Sequence, residues 1–348
     1  MKTKFSSCCL NGIAEGCRHC VKGRKLVLFI SGKCSRKCWY CSLSEKRKDK
    51  DIIWANEREI TNTDELINEV QESHADSAGI TGGDPLLFIE RTLKFAKTLK
   101  SKFGKEFHIH IYLPTKLVNS NNLRKLSKYI DEVRFHPEFI LNREKIKEDV
   151  EKIRLANQFW KINNIGIELP MIPNKKSEIL NFIKIVREEV GFINLNEFEI
   201  SETNFQAVLK KYKLNRDTYT IKDSDKSGIW LLNQLKKQKV KNKVHFCTAN
   251  LKNNYQYKNR LKLHKILPFG RKTSEGTVTY LAVYPKNLRK AVREIRSIGK
   301  CFPDTKNKRI ILSEKTAEKI IKERLYKIAR VEEHPTYDST VMDFCIIN

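Results

Sequence analysis

Over the first two hundred residues, short apolar runs alternate with longer stretches whose apolar residues recur every three or four positions. Leu26–Ser31 is the first run and enters a loop, and Ser77–Thr81 is the second, ending in Gly82-Gly83-Asp84-Pro85. His108–Leu113 alternates polar and apolar, and Glu132–Phe135, Ile165–Ile172 and Leu195–Ile200 complete the series. Between them Ile89–Phe103, Asn122–Ile130, Arg143–Phe159 and Ser177–Val190 carry the longer period. A period of two predicts strands and one of 3.6 predicts helices. Strands alternating with helices of this length predict an α/β fold with a mostly parallel sheet. Six such units predict a partial (β/α)6, TIM-like barrel, with chemistry on the loops that follow the strands.

After residue 206 the rhythm changes. Lys210–Lys265 is polar and reads as helical or irregular. From Gly276 a strand (Thr277–Tyr284), a helix (Asn287–Ile298), a strand (Arg309–Leu312) and a helix (Glu314–Arg324) are predicted, then strands near Tyr326–Val331 and Thr340–Ile347. The expected organisation is a cysteine-rich module over 1–24, a core over 25–206, a basic connecting segment over 207–272 and a small α+β domain over 273–348.

Composition narrows the function. With 348 residues and 40% hydrophobic content the chain can bury a real core, which excludes wholesale disorder. It carries 68 Lys and Arg against 41 Asp and Glu, a formal charge of +27. Such a surface attracts polyanions, RNA among them, although a lysine-rich solvated surface gives the same count. Ten cysteines are present and seven of them fall within the first 41 residues. Met1–Cys20 lacks the apolar stretch of an export signal, and Leu26–Ile30 is too short to span a bilayer. The expectation is a cytoplasmic, reduced protein with no membrane partner, in which clustered cysteines bind metal.

The decisive segment is Gly32-Lys33-Cys34-Ser35-Arg36-Lys37-Cys38-Trp39-Tyr40-Cys41, with the spacing Cys-x3-Cys-x2-Cys. Iron–sulfur cubes take cysteine thiolates, normally four. Three on one loop leave an iron open to a substrate or cofactor. Zinc is the competing reading, pairing Cys38/Cys41 with Cys17/Cys20, and it would leave Cys34 idle. The triad, with aromatic Tyr40 before its last cysteine and placed after the first strand, resembles the radical S-adenosylmethionine (SAM) superfamily. Thr81-Gly82-Gly83-Asp84-Pro85-Leu86 matches that family's second signature, with Asp84 where Glu is usual. More narrowly, Cys17–Glu45 resembles archaeal radical SAM proteins related to pyruvate formate-lyase activating enzymes. The resemblance implies a [4Fe–4S] cluster on Cys34, Cys38 and Cys41, and SAM against Gly82, Gly83 and Asp84 with Tyr40 and Glu168 nearby. It also implies a low-potential electron donor and a 5′-deoxyadenosyl radical that takes hydrogen from a substrate: RNA, a peptide or protein, or a small molecule. The alternative from a different class is a non-catalytic iron–sulfur or zinc protein that binds RNA.

Other groups invite roles. Cys8, Cys9, Cys17 and Cys20 form a second thiol cluster, which His245 and Cys247 could join, and a second metal site, zinc or auxiliary iron–sulfur, is expected there. His108, His110 and Tyr112 share one strand face, and His136, Glu168 and Glu199 follow on later strands as candidates for the cavity. Lys236–Lys272 holds twelve Lys or Arg and no acid, interleaved with Phe246, Tyr255, Tyr257 and Phe269. That composition suits single-stranded RNA or a phosphate-bearing substrate.

Overall fold

A computed structural model describes residues 1–215 and 218–348. Among these, seven parallel strands lie side by side in chain order: β1 (Lys25–Phe29), β2 (Ser77–Thr81), β3 (His108–Pro114), β4 (Glu132–His136), β5 (Ile165–Met171), β6 (Phe192–Glu197) and β7 (Lys243–Cys247). The hairpin Ile53–Ala55 and Arg58–Ile60 extends the sheet beyond β1, and Cys8–Leu10 pairs antiparallel with β7. Neighbouring strands in chain order, joined by helices, make the expected open barrel.

Alternation along the strands sorts the two faces. Leu26 and Leu28 of β1, Ile109, Ile111 and Leu113 of β3, Ile165, Ile167 and Leu169 of β5, and Val244 and Phe246 of β7 share one core cluster. That cluster includes the apolar stripes of helices Thr63–Glu72, Ile89–Phe103, Ile146–Leu155, Lys176–Val186 and Ser224–Lys237. The other face is polar, and the strand register stacks it in rows. Gly79, His110 and Glu132 are one row; Tyr112, Arg134 and Gly166 another. Glu168, Asn194 and His245 form a third row, and Pro170, Asn196 and Cys247 a fourth. A sheet with one apolar and one polar face has its packing outside and its chemistry inside.

Two expectations change. Lys210–Lys265 is not merely a helical or irregular connector: it supplies helix Ser224–Lys237 and strand β7, which joins the main sheet beside β6. The residues 1–24 do not stand apart either. The helix α1 (Glu15–Val21) packs against β1, β2 and β3. By contact the chain divides into 1–71 with 75–257, and 72–74 with 258–348.

The second unit has its own sheet, formed by β8 (Val278–Val283), β9 (Cys301–Asp304), β10 (Arg309–Leu312), β11 (Ala329–Glu333) and β12 (Val341–Ile346), with Arg271–Lys272 pairing to β8. The order is β9-β10-β8-β11-β12, all antiparallel, with helices Leu288–Ile298 and Glu314–Lys322 between strands. This is a split βαβ arrangement with one added strand. The helices bury Ile295, Ala317 and Ile320 against Val283, Ile310 and Leu312. Val278, Tyr280 and Ile311 meet Ile266, Leu267 and Phe302 in a separate cluster.

Candidate active site

The polar face of the barrel lines a cavity of about 780 Å³. Cys34, Cys38, Tyr40 and Cys41 face it from the loop after β1, and Thr81, Gly82 and Gly83 from the loop after β2. Backbone contacts lock the two loops together. Gly83 N–H donates to Ser31 O (2.7 Å) and Asp84 N–H to Lys33 O (3.0 Å). A Cβ on Gly83 would come within 2.2 Å of Lys33 O, and Gly82 has a φ of +155°, so neither position accepts a side chain. On the far side the cysteine loop is tied down by the segment after β6. Thr203 Oγ1 donates to Leu43 O (2.5 Å), and Asn204 Nδ2 donates to Tyr40 O (3.2 Å). Arg36 Nη1 donates to His136 O (2.8 Å).

The thiols sit in a place that disfavours their anions unless a cation arrives. Burial pushes Cys34 up to about 11 and raises Cys38 as well. Tyr40 hydrogen-bonds the Cys38 sulfur. Bound iron would supply the missing positive charge and displace the protons. The donor set, three cysteines on one fastened loop, fits a [4Fe–4S] cluster with one iron left open.

Asp84, the acid of the Gly-Gly-Asp-Pro loop, is held by its neighbours. Its carboxylate caps the short helix Pro85–Phe88 through Leu86 N–H (3.0 Å) and accepts from Ser35 Oγ (2.5 Å). It is 1% exposed. Asp84 therefore braces the cysteine loop, and Gly82 and Gly83 present backbone to the cavity.

Deeper in the barrel, Glu168 accepts from Asn196 Nδ2 (2.8 Å), Asn194 Nδ2 (3.2 Å) and Arg134 Nη1 (3.2 Å). Burial opposes its charge, but Arg134, His136 and the two amides outweigh burial and hold its carboxyl down to about 2. Arg134 also binds Glu132 (2.6 Å), Tyr112 Oη (3.3 Å) and Cys17 Sγ (3.4 Å). Glu199 pairs with Lys252 (2.9 Å), and both line the cavity. His136 lines it too, kept neutral by burial, which brings it down to about 4.

The helix α1 stops the foot of the barrel. His19 stacks on His108 (5.4 Å) and bonds Asp76 (2.7 Å), and Gly16 N–H donates to Glu132 (3.2 Å). Gly16 is required, because a Cβ there would sit 2.5 Å from His110 Nδ1. His108 and His110 thus lie beneath the plug, and Tyr112 lines the cavity. Ligand atoms of His108, His110 and Glu132 lie within 4.8 Å of one another, but Arg134 already neutralises Glu132 and would repel a cation.

The N-terminal thiols regroup. Cys17 and Cys20 line the cavity with His245 and Cys247. Cys8 packs into the apolar core, and Cys9 lies opposite His245 on the edge strand. Of the aromatic residues in the basic segment, Phe246 is buried in the core and Tyr255 packs edge-on against Phe5. Sequence reasoning passed over Lys25, Arg134, Asn194 and Asn196. For Arg134 the signal was present, since it alternates with Val133 and Phe135 on a predicted strand; Lys25 and Asn194 each stand one residue before the predicted run.

Comparison with known proteins identifies this architecture. The radical SAM superfamily profile matches residues 28–189, which contain the triad and the Gly-Gly loop. A Methanocaldococcus jannaschii protein, described as a candidate glycyl-radical enzyme activating enzyme, is 41% identical over 256 residues, covering 72% of this chain and 67% of its own length. The chain belongs to the radical SAM superfamily. As a radical SAM enzyme it uses a [4Fe–4S] cluster and SAM, and its kind requires a reductant and a substrate. Two solved structures of the superfamily are more distant. The radical SAM methyltransferase TsrM of Kitasatospora setae, solved with tryptophan and a SAM analogue, aligns at 10% identity and a TM-score of 0.35, over 52% of this chain and 37% of that one. Coproporphyrinogen III oxidase of Escherichia coli aligns at 14% identity and a TM-score of 0.38, over 64% and 55%. This chain spans less than two thirds of either. Among the described residues no helix is long and apolar enough to cross a membrane.

Proposed function

We infer that Cys34, Cys38 and Cys41 are the protein ligands of the cluster, and that SAM lies against Gly82, Gly83 and Tyr40 with Glu168 at its inner side. The observation that carries this is one cavity lined by the three thiols, the Gly-Gly loop and the ionised Glu168 together. Bound there, cluster and SAM supply a reductive cleavage that yields a 5′-deoxyadenosyl radical for hydrogen abstraction. The chain's own part is positioning and exclusion of water. Thr203 and Asn204 hold the cysteine loop, Gly83 and Asp84 fix its other edge, and Asn194, Asn196 and Arg134 hold the Glu168 carboxylate in one orientation.

The relative's description favours a protein substrate; the stopped foot of the barrel favours a small one. A phosphate-bearing molecule suits the +27 charge. The RNA-binding, non-catalytic alternative is not favoured: the triad is complete, and Phe246 is not available for stacking. A reducing cytoplasm suits ten free cysteines. A second metal on the cavity thiols Cys17 and Cys20 is kept as an outcome of the iron and zinc analysis below.

The test is anaerobic release of 5′-deoxyadenosine by reconstituted enzyme with SAM and a strong reductant. Cys38→Ala is expected to lose bound iron and to release none. Release by Cys38→Ala at the wild-type rate would remove the assignment, and metal retained by a variant lacking all three cysteines would reveal the second site.

A further inference from the structure

We propose that the deep end of this cavity is an anion subsite built on Lys25 with Tyr112, so that the substrate is a small molecule carrying a carboxylate or phosphate. This rests on the radical SAM reading of the same cavity and adds its substrate class. Lys25 opens β1, so at about 3.3 Å per residue it lies about 16 Å along the strand from Ile30, where the cysteine loop begins. Its side chain is half-buried and lines the cavity.

Its charge is treated unlike the others nearby. Arg134 meets two carboxylates and Lys252 meets one. The Lys25 ammonium donates to the Cys20 thiol, and among the described residues no carboxylate forms an ion pair with it. An ammonium on a cavity wall with no carboxylate partner is left to meet an incoming anion. Tyr112 lies beside Lys25 and lines the same cavity. Its Oη accepts from Arg134 (3.3 Å), which leaves its own hydrogen to donate. An ammonium and a phenol suit carboxylate or phosphate oxygens. The helix α1 across the foot and a volume of about 780 Å³, shared with SAM, suit a small molecule.

The test uses reconstituted, SAM-saturated enzyme without reductant. Iodoacetamide modification of Cys20, the thiol on Lys25, is followed by mass spectrometry in the presence of inorganic phosphate, succinate or uncharged glycerol. At ten times its dissociation constant, phosphate or succinate is expected to slow Cys20 modification about tenfold, with glycerol inert. Lys25→Met is expected to lose the protection and Lys25→Arg to retain part of it. The wild-type comparison of anion with glycerol decides even where Lys25→Met does not fold. Equal rates with all three probes, or undiminished protection in folded Lys25→Met, would overturn the subsite. So would protection by a glycine-containing peptide alone, which would point to a protein substrate. SAM binding is measured on the same samples: its absence counts against the radical SAM site, whereas bound SAM without anion protection counts only against the subsite.

Discussion

Two of the buried arginines, Arg134 in the barrel and Arg309 in the C-terminal unit, have different surroundings. In the C-terminal unit Arg309 meets Glu333 through two 2.6 Å bonds and Asp304 through one of 2.8 Å. It is 1% exposed, and Tyr280 covers its face. Arg134 in the barrel bonds Glu132 and Glu168, but its other partners are Tyr112 and Cys17, which line the cavity together with Glu168. A bidentate carboxylate pair closed on itself fixes a fold. The same cation, shared among groups that face a cavity, sets the charge and orientation of a site.

Substitution of the two arginines separates these roles. Arg134→Met leaves Glu132 and Glu168 without their cation. A loss of about 3–5 kcal/mol in urea unfolding is expected, together with loss of 5′-deoxyadenosine release by whatever folded enzyme remains. Arg309→Met is expected to cost a similar amount, because Asp304 and Glu333 stay buried, with release per folded molecule unchanged. Equal losses of turnover in the two variants would erase the distinction.

Acid gives a gentler probe of the barrel. Burial, helped by Arg134, lowers His245 to about 4. In the unfolded chain the ring takes up its proton near 6.5, so this contribution is complete above that pH and is lost as pH falls towards 4. The expected loss is about 3 kcal/mol across that window, read as a falling urea midpoint. His245→Asn should flatten that part of the slope. The smallest change is at the plug: Gly16→Ala drives a methyl group against His110 Nδ1 and is expected to cost about 1–3 kcal/mol. Faster Cys17 alkylation in that variant would register the loosened foot.

Much of this was legible in the sequence where local pattern and burial agree. The helix Ile89–Phe103 and the strand Arg309–Leu312 are found at the expected residues. The cysteine spacing and the Gly-Gly loop identified the family, because a metal cluster demands residues at fixed separations on one loop. Three features were not legible, each for its own reason. In β7, Lys-Val-His-Phe-Cys, the alternation spans only five residues inside a basic stretch, so the charge hid it. The strand β9 was not predicted; it contains Pro303, which removes a backbone donor, and the structure tolerates it because β9 lies at the sheet edge. Lys25 and Arg134 carry charge to the inside of the barrel: Lys25 stands one residue before the apolar run that marks the first strand, and the inward side of Arg134 follows only from the fold around it.

The stopped foot gives the barrel a floor made from its own N-terminal residues. Because α1 packs against β1, β2 and β3 and holds Cys17 between Arg134 and Asn194, the first twenty residues are part of the chamber wall, and damage to them is damage to the site.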